Sequence, residues 1–219
     1  MGPLYTATWG RLTASLYDTF LRGTVRAGLA DRRRRLLSEA AGRTLELGSG
    51  TGLNLVHYPE AVEELVLTEP DPHMARRLRA RAASLPRAPQ VVEAPAERLP
   101  FEDDSFDTAV FTLVLCTVAD PAAALAEVAR VLRPDGEVLF LEHVRSPDPA
   151  LARWQDRLHR PWRLFAAGCN CNRDTLATIE GSPLAVTWVE PGRLPKAMPI
   201  IRPMIAGSAR AGVASRAAT

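Results

Sequence analysis

The sequence predicts an α/β fold built on a largely parallel sheet, and three observations carry that prediction. From Thr44 onward, short apolar runs alternate with stretches of helical periodicity, the pattern of strands joined by crossover helices. The runs are apolar on both faces, as strands covered by helices on both sides must be. Finally, "LELGSGTGLN" (residues 45–54) carries an apolar strand into a helix through Gly48, Gly50 and Gly52, with no internal repeat or interdomain linker in the chain.

Taken in order, the elements begin with residues 8–41. Trp9, Leu12, Leu16, Phe20 and Leu21, then Leu29, Leu36, Leu37 and Ala40, fall near helical spacing and predict two helices ahead of the main fold. The basic run Arg32 to Arg35 lies in the second and reads as a solvated face. "TLEL" is the first strand and "ELVLTE" the second, followed by the helix "HMARRLRARAAS". "QVVE" is a third strand and "DTAVFTLVLC" a fourth, which precedes the helix "PAAALAEVARVLRP". Leu132-Arg133-Pro134-Asp135-Gly136 stops that helix and turns the chain into the fifth strand, "EVLFLEH". Beyond His143, "ALARWQDRLHRPW" reads as a helix, "NRDTLATIEG" as a short capped one and "LAVTWVE" as a strand. A last strand is expected around 202–209, and the small, polar tail is expected to fray.

Bulk properties exclude several functions. The chain of 219 residues carries a net charge of +2, which gives no electrostatic case for nucleic acid. No apolar run reaches the ~18 residues of a membrane span, and no signal-peptide pattern opens the chain. Cys116, Cys169 and Cys171 are too few and odd in number for a disulfide framework, so the expected location is reducing and cytoplasmic. The Cys169–x–Cys171 pair lacks the further ligands that a metal site needs, and no metal is expected.

The glycine turn narrows the ligand. A phosphate-binding P-loop needs a Lys–Ser/Thr pair after its last glycine, and none is present. A dinucleotide fingerprint would need Gly or Ala where Leu53 stands. Glu46, just before the turn, repels a pyrophosphate but can hold an ammonium group. Glu69 ends the second strand roughly twenty residues after the glycines, where an acid can take two ribose hydroxyls. The turn suits an amino-acid moiety attached to a nucleoside.

On "LELGSGTG", "EPD", "AERLPFEDDSFD" and "ALAEVARVLRPDGEVLFLEH", the chain resembles the class I S-adenosylmethionine-dependent methyltransferases over roughly residues 10 to 145. Within that class it looks most like the branch of the ubiquinone and menaquinone methyltransferases. The resemblance implies a Rossmann-like, seven-stranded, mostly parallel sheet with helices on both faces and an N-terminal helical lid. It implies a single domain over 1–219, with the lid at 1–41 and the cofactor core at 42–145. Substrate-side helices and the last strands would occupy 146–209, and a frayed tail 210–219.

The same resemblance implies roles for particular residues. Glu46, Gly48, Ser49, Gly50 and Gly52 would hold the methionine part of S-adenosylmethionine, and Glu69 the ribose. Pro70, Asp71 and Met74 would line the adenine pocket, Ala96 and Glu97 would flank the base edge, and Thr112 and Leu113 would lie beneath the sulfonium. Tyr17, in the lid, would touch cofactor or substrate, with simple helix packing as the alternative. Many relatives have an aspartate where Pro95 stands, so capture of the adenine amino group departs from the pattern there.

The resemblance implies a small-molecule acceptor. "FTLVLCTV", "WQDRLHRPW" and "GCNCNRDT" resemble the animal alkyl-thiol methyltransferases, as does "GTGLNLVHYP", which adds Asn54 to the cofactor residues. Those proteins carry an amino-terminal membrane anchor that is not expected here. A thiol acceptor with pKa near ~8.5 is already partly ionised at neutral pH and asks for one weak base. His143, at the carboxyl edge of the fifth strand, is the candidate catalytic residue, with a structural histidine as the alternative. Two further readings stay open: C- or O-methylation of a quinone or phenolic product, and a non-catalytic module that binds the cofactor.

Overall fold

A computed structural model describes residues 23, 25–166, 168–194 and 196–212. Seven strands form one sheet: β1 (Gly42–Leu47), β2 (Val62–Thr68), β3 (Gln90–Val92), β4 (Phe106–Thr112), β5 (Leu132–His143), β6 (Leu184–Arg193) and β7 (Pro203–Ala211). Their order is β3-β2-β1-β4-β5-β7-β6. The first five pair in parallel, while β7 runs antiparallel between β5 and β6. This is the seven-stranded, mostly parallel sheet expected from the sequence.

Among the described residues, five α-helices connect or flank the strands: α1 (Ala30–Leu37), α2 (Pro72–Ala82), α3 (Pro121–Val131), α4 (Pro149–Phe165) and α5 (Thr175–Glu180). Three of them start the same way. Asp71, Asp120 and Asp148 each place a side-chain oxygen on the first free N–H groups, and proline follows at the first helical position, where its missing donor costs nothing. Asp174 caps α5. The expected helix before α1, with Trp9, Leu12, Leu16, Tyr17 and Phe20, lies outside the described residues.

The core fills both faces of the sheet. Leu45, Leu47, Phe106, Phe111, Val138 and Phe140 pack with Leu125 and Val128 of α3 in one cluster. Val110, Leu139 and Leu141 point the other way, onto Leu29, Leu36 and Leu37. The alternation of burial partners along β4 and β5 is what makes these runs apolar throughout. At Gly207, an added Cβ would lie 2.5 Å from both the Phe140 ring and the Trp188 carbonyl oxygen, so only glycine lets β7 lie this close to both neighbours.

Strand order reverses between β1 and β4: the chain winds outward through β2 and β3, then returns to β4 on the other side. The loops leaving β1 and β4 diverge there and open a crevice at the carboxyl edge, the place where α/β sheets bind ligands.

Candidate functional site

Residues 48–52 leave β1 in a turn no other residue type would adopt cheaply. Gly48, Gly50 and Gly52 have φ of 58°, 57° and 83°. A Cβ on Gly48 would lie 2.9 Å from both Val114 methyls, and one on Gly52 would press on Leu55 and Leu78. The Ser49 N–H donates to the Thr68 carbonyl (2.9 Å), and the Gly52 N–H closes back onto Ser49 (2.9 Å).

Glu46 sits beneath this turn, 2% exposed. Its Oε1 accepts from Asn54 Nδ2 (3.0 Å) and its Oε2 from the Tyr58 hydroxyl (2.6 Å). Asn54 Nδ2 also donates to Thr112 Oγ1 at the end of β4 (2.9 Å), so one amide ties β1 to β4 across the switch point. Burial pushes the Glu46 carboxyl up to about 7, against the Tyr58 and Asn54 hydrogen bonds and the charge of Arg33, which pull it down. Asn54 Oδ1 is buried without a partner, a spare acceptor beside a carboxylate.

The cleft is lined by Arg33, Glu46, Gly48, Ser49, Gly50, Thr51, Leu53, Asn54 and Thr112. Six expected residues therefore converge: Glu46, Gly48, Ser49, Gly50, Asn54 and Thr112. Gly52 shapes the turn from below. Glu69 adjoins the cleft: its Oε2 accepts from the Gly50 N–H (2.8 Å) and its Oε1 from the Asp71 N–H (2.9 Å). Burial pushes its carboxyl up to about 7 as well.

The remaining expected residues line no part of this cleft. Pro70 is exposed, Met74 is half-buried, and Asp71 accepts from the His73 and Met74 N–H groups as the cap of α2. Ala96 is buried, whereas the Glu97 carboxylate accepts from the Ala119 and Asp120 N–H groups and fastens the start of α3. Leu113 has φ of 62°, a strained conformation for a leucine, and marks where the chain leaves β4 three residues before the apolar run ends. The run continues because Val114 and Leu115 donate to the buried Glu142 carboxylate (2.8 and 3.1 Å) and turn their side chains into the core. Tyr17 lies outside the described residues.

His143, the last residue of β5, is buried, bonded to the Ile201 backbone, with Nδ1 unpartnered, and burial pushes its pKa down to about 4. It does not line the cleft. Among the described residues, no group of three or more His, Cys, Asp or Glu could hold a metal ion. The three cysteines are free and buried.

Sequence reasoning missed Arg33, Thr51, Leu53 and Tyr58. Arg33 is 3% exposed, although it stands in the run read as a solvated face. Its signal was the spacing: Leu29, Arg33, Leu36, Leu37 and Ala40 form one stripe at i, i+4, i+7, i+8 and i+11, so Arg33 occupies an inward position.

A carboxylate, a spare amide oxygen, a guanidinium and a bare glycine backbone fit a zwitterionic amino-acid group, and the Glu69 carboxylate adjoins them. The methyltransferase-domain model matches residues 45–140, which carry every residue of the cleft except Arg33. The chain belongs to the class I S-adenosylmethionine-dependent methyltransferases. Within that class it is similar to the human thiol S-methyltransferase TMT1B, at 34% identity over 174 residues (74% of this chain, 71% of the relative). Human thiol S-methyltransferase TMT1A is 33% identical over 193 residues (83% and 79%). An S-adenosylmethionine-dependent methyltransferase of Thermotoga maritima shares the fold at a TM-score of 0.67 and 21% identity (92% of this chain, 97% of that one). The protein is an S-adenosylmethionine-dependent methyltransferase.

Proposed function

We propose that the protein transfers a methyl group to the sulfur of a small thiol. What supports this reading is the similarity to two thiol S-methyltransferases over most of the chain. Glu46 and Asn54 Oδ1 hold the ammonium of the cofactor, Arg33 its carboxylate, and Glu69 the ribose hydroxyls. Past the Glu69 end of the cleft, Pro70, Asp71, Met74 and Ala96 would frame the base, with Glu97 offering only backbone because its carboxylate accepts from the Ala119 and Asp120 N–H groups, and Thr112 would lie beneath the reacting centre with Leu113 beside it. When bound, S-adenosylmethionine supplies a methyl group on a sulfonium. The chain's part is to fix that group and the acceptor in line and to keep water out. The three free cysteines support a reducing, cytoplasmic location. Among the described residues, no helix is long and apolar enough to cross a membrane.

The test is transfer of a labelled methyl group to a panel of thiols, phenols and quinones. Label recovered as thioether supports the reading; label found only on oxygen or carbon rejects it. Tight cofactor binding with no transfer to any member assigns a binding module instead.

Two predictions belong to this site. An ammonium binds an ionised Glu46, so proton and cofactor compete below about 7. Affinity for S-adenosylhomocysteine should therefore rise with pH through that value and level off above it. Glu46→Gln should leave only the part of the slope that Glu69 contributes. Calorimetric titrations between pH 5.5 and 8.5 (a window of about 1.5 units on either side of that pKa) check this, and a parental profile in the variant would overturn it.

The second concerns the base. A group held near 4 is mostly deprotonated at neutral pH but accepts a thiol proton poorly, so the acceptor enters as thiolate. His143→Gln should lower kcat less than about tenfold and leave its pH profile in place, whereas loss of a general base costs roughly 100-fold or more. A fall of that size with a lost pH limb would restore His143 as the base.

A further inference from the structure

Of the large apolar side chains that stand exposed among the described residues, Trp154, Leu158, Leu164 and Phe165 share one helix, α4; only Val56, Val189 and Met198 lie elsewhere. They are not scattered along it. Trp154, Leu158, Pro161 and Phe165 follow one another at i, i+4, i+7 and i+11 and so form a single stripe. Arg153, Arg157 and Arg160, all exposed, run beside it at i, i+4 and i+7. The Arg157 guanidinium lies 5.7 Å from the Trp154 ring centre. The helix has a single acid, Asp156, and both its oxygens are taken by Arg145 (2.6 and 2.7 Å).

The roll of the helix is fixed. Gln155, fully buried about a quarter-turn round the helix from the stripe, accepts from the Ser146 N–H (2.8 Å) and donates to the carbonyls of Val144, Cys171 and Ile200 (3.2, 2.8 and 2.9 Å). Turning Trp154 or Phe165 inward would break that set, so the apolar stripe is held facing out, with Phe165 81% exposed.

We propose that α4 is a docking surface for a lipid bilayer containing anionic phospholipid. The aromatic and aliphatic stripe would enter the boundary between headgroups and acyl chains, and the arginine row would lie against the phosphates, with stems along the apolar surface. Charge decides between occupants. A second copy packed about a two-fold axis would bring two arginine rows together. Residues 1–22, another possible cover, carry Arg11 and Arg22 against one acid, Asp18, and so offer no complement to the row. The segment after α4 reaches the site side of the sheet, because the Asn170 N–H and Nδ2 both donate to the Cys116 carbonyl (2.7 and 2.9 Å) in the loop that follows β4. Docking through α4 would thus bring the carboxyl edge of the sheet close to the lipid.

The proposal does not depend on which acceptor is methylated, and its test reads binding alone. The full chain is floated with vesicles of phosphatidylcholine, or of phosphatidylcholine mixed with phosphatidylglycerol, at low and high salt. It should float with the mixed vesicles, less so in salt, and scarcely with phosphatidylcholine alone. Arg153→Gln with Arg157→Gln and Arg160→Gln should weaken partitioning roughly a hundredfold. Trp154→Ala with Phe165→Ala should weaken it at least about tenfold. Both variants alter exposed positions and should keep the parental melting temperature and S-adenosylhomocysteine affinity. No flotation of the parent, or undiminished flotation of both variants, overturns the proposal. A parent that floats with neither vesicle but forms a dimer dispersed by the apolar pair assigns the face to a second copy, and also overturns it.

Discussion

Glu69→Ala should lower affinity for S-adenosylhomocysteine at least tenfold, with a smaller change in folding stability. The carboxylate accepts from the Gly50 and Asp71 N–H groups and keeps a second lone pair on each oxygen for the two ribose hydroxyls. Charge-assisted hydrogen bonds in so enclosed a place contribute ~1.5–3 kcal/mol each, less than additively. The variant also releases the amide that sets the glycine turn, so both the ribose site and the approach to the methionine part suffer. Gly50→Val should be worse, since φ of 57° is costly for a β-branched residue and Gly50 lines the cleft. Glu63→Ala, an exposed change of the same charge, is the control. Isothermal titration decides: parental affinity in Glu69→Ala would refute this account of the pocket.

Gln155→Leu should be strongly destabilising. It replaces one polar side chain by an apolar one of similar size, but strands the Ser146 N–H and the Val144, Cys171 and Ile200 carbonyls in a buried place. At ~1–3 kcal/mol for each buried group left without a partner, and with some relaxation, the loss is about 3–5 kcal/mol. For a domain of this size that lowers Tm by on the order of 10 °C. A thermal melt followed by circular dichroism checks it. A shift of only a degree or two would mean that water or a local rearrangement re-satisfies these groups.

Most of the sheet was legible in the chain because its signals are local. The apolar runs, the glycine turn and the Leu132–Gly136 stop each act through residues within a few positions of one another. The fourth strand shows the limit. "DTAVFTLVLC" is one apolar run, yet β4 ends at Thr112, because Leu113 takes a positive φ and the distant Glu142 gathers the next two amides. No window of sequence around residue 113 contains Glu142.

The site divides in the same way. Glu46, Gly48, Ser49, Gly50, Asn54 and Thr112 were expected at one site and do line one cleft, with Glu69 adjoining it, because a glycine turn between a strand and a helix and acids at strand ends leave a local signature. Glu97 was assigned to the base edge from its motif, yet its carboxylate is engaged by the amides that open α3. His143 was chosen for its place at the strand's carboxyl edge, and a one-residue alternation turns its ring away from the cleft while Glu142 faces the loop after β4. Arg33 was passed over as one arginine among four.

The sequence by itself determined the parallel strands with their crossover helices and the glycine turn that suits an amino-acid moiety, because periodicity and glycine geometry are properties of neighbouring residues, while the seven-stranded sheet and the cofactor followed from the family its motifs resemble. Tertiary structure alone decided that the inward arginine meets Glu46, that two carboxyls stand near 7, that His143 is withdrawn, and that α4 keeps Trp154 and Phe165 in solvent. Those depend on burial and on partners far along the chain, and neither desolvation nor long-range hydrogen bonding is written in any local stretch of residues.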